Sequence, residues 1–128
     1  MSLLDEAGRT GAAEAVERII NREGEADTIL RLSIGALAER IPGLRGVSLA
    51  FVEPGGMTVG PTAGVAPPRE RPAASEAVVY RDAVVAELWI DAPGEPDLGD
   101  RALLRRLAEL LSPYCLVGWD VGGEEWAP

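Results

Sequence analysis

The sequence contains no histidine and no lysine, and it has a single cysteine, Cys115. Each absence removes a chemistry. Without histidine the commonest general base and the commonest transition-metal ligand are gone, and Ser48, Ser75 and Ser112 cannot serve as triad nucleophiles. Without lysine there is no Schiff-base residue and no phosphate-loop lysine, since all 12 basic residues are arginines. A lone cysteine forbids an intramolecular disulfide and a cysteine-rich metal cluster, and it fits a reducing compartment. Long apolar runs are missing too, whereas a membrane-spanning helix needs about 20 such residues. Met1 to Glu6 carries acids where a secretory signal would carry a basic region, so the expectation is a cytoplasmic protein with no membrane partner.

What is present is a chain of 128 residues, 47% hydrophobic, with a formal net charge of −9. That length supports one core and one domain. The negative charge repels a polyanion instead of releasing its counterions, which excludes nucleic acid as an expected partner. Acidic surface charge also serves solubility alone.

Hydrophobic spacing predicts a first helix from Ala12 to about Glu23, interrupted by Gly24. A second follows from about Glu25 or Asp27, with Leu30, Ile34, Leu37, Ala38 and Ile41 on one stripe, stopped by Pro42-Gly43. Gly46 to Glu53 reads as a strand, Pro54-Gly55-Gly56 as a turn, and Met57 to Ala63 as an edge strand containing Pro61. Residues 64–74 hold three prolines and no periodicity, and so form an irregular connection. Glu76 to Tyr80 and Ala83 to Asp91 form a hairpin about Arg81-Asp82. A closing helix, capped by Asp97 or Asp100, turns Leu103, Leu104, Leu107, Leu110 and Leu111 inward. The expected organisation is an extension and helix over 1–24, a domain over 25–118 and a tail over 119–128. The fold class is α+β: an antiparallel sheet of four to five strands with N-terminal and C-terminal helices packed on one face.

Alternation along the second hairpin strand assigns Val84, Ala86, Leu88 and Ile90 to the helix side, and Val85, Glu87, Trp89 and Asp91 to the other. With a two-residue turn, Val79 pairs with Val84, Val78 with Val85 and Glu76 with Glu87. Glu76, Tyr80, Glu87, Trp89 and Asp91 then share one face, and these five are the candidate ligand-binding residues. Opposed carboxylates require a cationic ligand or an arginine from elsewhere. The plainer alternative is the wet face of an antiparallel sheet, with Trp89 covered by the 64–74 connection or by a second chain.

The order of elements, together with Val47 to Val52, Ser75 to Tyr80, Val85 to Asp91 and the helix from Asp100 to Leu111, resembles the GAF domain family over roughly residues 25–116. That resemblance implies a sheet flanked by helices and a small-molecule sensor or dimerisation module. Ser75-Glu76 and Leu88-Trp89-Ile90-Asp91 resemble in particular the free-methionine-R-sulfoxide reductases of that family, where carboxylates hold the amino group of the substrate. Glu76 and Asp91 fall on two of those positions, while Trp89 replaces an aspartate. No cysteine stands between the first hairpin and the Ser-Glu strand, and the 64–74 connection is too short for the family's lid helices.

These observations lead to a non-catalytic GAF-like regulatory or interaction module, without cofactor or metal, acting as a homodimer or on another protein. The alternatives are a sensor for a small amine or amino acid, and the reductase. Cys115 on the closing helix is expected to be a buried, inert thiol. Asp120 to Glu124 only loosely resembles a calcium loop. The homodimer is expected to bury the helices of residues 12–41, the face bearing Trp89, or both.

Overall fold

The computed structural model describes residues 6–22, 24–41, 43–72, 74–92 and 98–115. Two helices, α1 (Glu6–Asn21) and α2 (Ala26–Arg40), precede β1 (Gly46–Glu53), β2 (Gly56–Gly64), β3 (Ala74–Tyr80) and β4 (Ala83–Asp91). Helix α3 (Leu98–Leu111) follows, and a 3-10 turn at Ser112–Cys115 ends the described chain. The expected α+β class and the strand positions hold, with four strands in one antiparallel sheet of order β2-β1-β4-β3. The first helix begins at Glu6, earlier than the expected Ala12, and takes in Gly8 and Gly11, each of which costs only about 1 kcal/mol in a helix. The 119–128 tail and its calcium-loop look-alike lie outside the described residues.

All three helices lie on one side of the sheet. Helix α2 packs on β1 and β2, α3 packs on β3 and β4, and α1 lies against α2 and α3. Ala12 and Val16 of α1 are fully buried in the same core as Leu30, Ile34 and Leu37 of α2 and Leu104, Leu107 and Leu111 of α3. An ion pair, Arg106 to Glu17 at 2.9 Å, ties α3 to α1 at the surface. The sheet contributes Val47, Leu49 and Phe51 from β1, and Ala86, Leu88 and Ile90 from β4.

The second hairpin departs from the expected register. Arg81 and Asp82 form the two-residue turn, both at positive φ (50° and 66°), and Val79 faces Val84 as expected. One residue further, Val78 faces Ala86 and not Val85, so Val85 is an extra residue, a β-bulge. Everything beyond it moves by one, and a one-residue shift exchanges the faces of a strand. The physical gain is clear. Val78 becomes fully buried and the half-buried Val85 packs on the core, while Val84 is left 47% exposed. Burying one valine is worth about 1.5–3 kcal/mol.

Candidate functional site

The bulge divides the five sequence-derived residues. Glu76 faces Leu88, a core residue, and Tyr80 follows Val78 by two, so both belong to the helix side of β3. Glu87, Trp89 and Asp91 stay together on the opposite side, alternating with the buried Ala86, Leu88 and Ile90. The expected Glu76–Glu87 pair therefore does not form, and Ala77 stands opposite Glu87 instead. Tyr80 carries the Arg81 guanidinium 5.2 Å above its ring.

Topology dictates what lies over the outer face. Strands β2 and β3 are the two edges, and the chain must pass from one to the other at the end of the sheet where β2 finishes and β3 begins. Three strand spacings make this crossing about 15 Å. Residues 65–72, which we call the strap, bridge it directly across β1 and β4. Gly64, at φ +100°, turns the chain onto the face, and Ala66 N–H donates to the Arg45 carbonyl at 3.0 Å. Gly46 clears the path: a Cβ there would lie 2.4 Å from the Ala66 carbonyl oxygen and 2.5 Å from Pro67 Cα.

Side chains of the face then hold the strap. Ser48 Oγ, of a wholly buried residue, donates to the Pro68 carbonyl at 2.6 Å. Arg71 Nε forms an ion pair with Glu87 Oε1 at 3.1 Å, and the same oxygen accepts the Trp89 indole N–H at 2.9 Å. Trp89 is only 4% exposed, and Ala50 beside Glu87 is fully buried. Trp89 therefore needs no second chain to cover it, because the strap of the same chain is at hand and the tryptophan is already buried. The connection is too short for lid helices and long enough to lie flat.

The group that neutralises Glu87 is thus an arginine from elsewhere in the chain, one of the two possibilities its charge raised. Sequence reasoning missed Ser48, Arg71, Gly46 and Gly64 as parts of this face. The available signal was a glycine at each point where the connection meets β1 and β2, with an arginine among its prolines.

Cys115 lies elsewhere, buried in the 3-10 turn that follows α3 and not on the closing helix itself, its thiol donating weakly to the Leu111 carbonyl at 3.5 Å. Burial pushes the thiol up from 9.0 to about 12, so it stays protonated and unreactive near neutral pH. Among the described residues no group of acids and cysteine is arranged to hold a metal ion, and no helix is long and apolar enough to cross a membrane.

A sheet of this order, with helices packed behind it and the chain crossing its front, matches a solved structure. The GAF domain from Acinetobacter phosphoenolpyruvate-protein phosphotransferase superposes with a TM-score of 0.69, covering 88% of this chain and 94% of that one at 13% identity. The fold is GAF-like. No protein-family model matches the sequence, and no curated protein matches it either. In this GAF-like domain the strap occupies the outer face of the sheet, and Ser48, Arg71, Glu87 and Trp89 are engaged in the bonds that hold it there.

Proposed function

We propose that this domain is a non-catalytic GAF-like regulatory module that acts through protein contacts, self-association included, with its small-ligand function lost to its own strap. The observation that carries this reading is the burial of Trp89 together with the closed set of bonds around Glu87. A ligand entering that face would have to displace the strap and compete with Arg71. The single thiol, inert and on the other side of the sheet from Glu87, gives the reductase reading no nucleophile, and a reducing cytoplasmic setting suits it.

A second reading, a sensor of small amines, keeps one favourable observation: the Arg71 side chain is 67% exposed, so a cation in solution can reach the Glu87 contact. One experiment separates the two. In a Trp119→Phe/Trp126→Phe variant, Trp89 is the only tryptophan, and its emission reports the face directly. Titration with amino acids, small amines and free methionine sulfoxide leaves its spectrum and its acrylamide quenching unchanged if the face is closed. A saturable change at micromolar ligand overturns the proposal in favour of the sensor.

A further inference from the structure

The two edges of the sheet are unequally protected. Edge β2 contains Gly60-Pro61, and its pairing with β1 breaks register between Ser48 and Ala50. Proline, glycine and a bulge are the devices by which natural sheets prevent a second chain from adding to an edge. Edge β3 has none of these three, and its one protective device is a single charge on the helix side, Glu76. Its seven residues contain no glycine and no proline, the extra residue of the hairpin bulge sits on β4, and among the described residues no strand pairs with its outer side. Around it Ala77 is exposed, and Val79 and Val84 are 48% and 47% exposed.

We infer that β3 pairs antiparallel with β3 of a second copy of this chain, about a two-fold axis at Ala77, joining two four-stranded sheets into one. The inference rests on the reading of the domain as an interaction module and supplies its surface. An open edge accepts only extended backbone, and a copy of the same strand offers it in a matched register. In an antiparallel pair opposed residues share a face, which confines the axis to a residue and not to the gap between two. With the axis at Ala77 all seven residues pair. Glu76, the one acidic residue of the strand, then meets Val78 of the partner subunit, and the exposed Val79 meets Ser75 of the partner subunit. An axis at Glu76 would set the two carboxylates against each other, and an axis at Val78 would leave Ala74 and Ser75 unpaired.

The contact is small. Seven residues make an edge about 24 Å long and one strand deep, which buries well under the about 800 Å² per partner typical of a stable complex. The dimer is therefore weak and concentration-dependent. Each chain carries a net charge of −9, so the two copies repel and salt strengthens their association by screening.

The test uses Ala77→Cys, Glu76→Cys and Val79→Cys in the full chain. The native thiol of Cys115 is buried and protonated, so it does not compete. Mild oxidation or a short bis-maleimide joins Ala77→Cys into a covalent dimer at least tenfold faster than Val79→Cys, whose two copies lie about 14 Å apart along the paired edge. Light scattering over a dilution series, in 50 and 500 mM salt, finds a dimer fraction that rises with salt. Equal cross-linking rates at the three positions overturn the β3 pairing. If light scattering still finds a dimer, the interaction reading survives on another surface. A monomer throughout overturns self-association, while the ligand titration of Trp89 decides independently whether the face is closed.

Discussion

Trp89 donates its indole N–H to the carboxylate of Glu87, two residues earlier on the same face of β4, at 2.9 Å. The bond joins a buried donor to an acceptor that also receives Arg71, so the three side chains differ in what they lose when one is cut away. Glu87→Ala strands the indole N–H and is expected to cost about 1–3 kcal/mol, the penalty for an unmet buried donor. Arg71→Ala removes a guanidinium that is 67% exposed, and costs about 0–1 kcal/mol, as surface ion pairs do. Urea denaturation of the two variants measures the difference. Equal costs would mean that Arg71, and not Trp89, is the partner that matters to Glu87.

Gly46→Ala tests the path of the strap. The added methyl would sit 2.4 Å from the Ala66 carbonyl oxygen, and backbone must move to admit it. The expected cost is about 1–3 kcal/mol, as for overpacking, and acrylamide quenches Trp89 more strongly because the strap lifts. A variant of unchanged stability with an unquenched tryptophan would show that the strap does not lie over Gly46.

How much of the molecule is legible in its sequence differs from element to element. Strand β1 and the Arg81-Asp82 turn follow from hydrophobic alternation and turn chemistry, which are local, and both appear where expected. The bulge at Val85 is not legible. The segment Val78-Val79 and the segment Val84-Val85-Ala86 are apolar on both faces, so no local pattern says which valine is extra; packing against α3 and β1 decides it, and it sends Glu76 and Tyr80 to the helix side. The cover over Trp89 escapes for a related reason. Burial of an outward-facing tryptophan depends on where a connection without periodicity lies, and only the edge-to-edge order of the strands determines that.

Leu107 is fully buried between α3 and the sheet. Leu107→Ala is expected to cost about 2–5 kcal/mol by leaving a cavity there, against a total stability of about 5–15 kcal/mol for a domain of this kind. Urea unfolding of the variant beside the native chain gives the value. An unchanged midpoint would place Leu107 on the wrong side of α3.

Cys115 makes stability sensitive to high pH. Its thiol titrates near 9.0 when exposed and near 12 in the folded chain. Below pH 9 both states hold the proton, and the burial of the neutral thiol contributes in full. As pH rises from 9 toward 12 only the unfolded chain releases the proton, and stability falls by up to about 1.4 kcal/mol per pH unit. Comparing the alkaline unfolding of the native chain with Cys115→Ala isolates this contribution, which the variant lacks. Identical slopes would sink it, as would rapid labelling of the native thiol by a disulfide reagent at pH 8.

The strap's length has a consequence for how such a domain can change over generations. Doubling a surface connection raises the entropy cost of closing it by only about 0.6 kcal/mol, so foldability does not hold residues 65–72 to their present number. What their number does govern is clearance, because Ser48 and Arg71 clamp a chain that has little slack between the two edges. An insertion near Arg69-Glu70 would be nearly neutral for the fold and would open the face beside Trp89. In a front of this kind, the number of residues in the strap, more than the stability of the fold, sets whether the face beside Trp89 is open or closed.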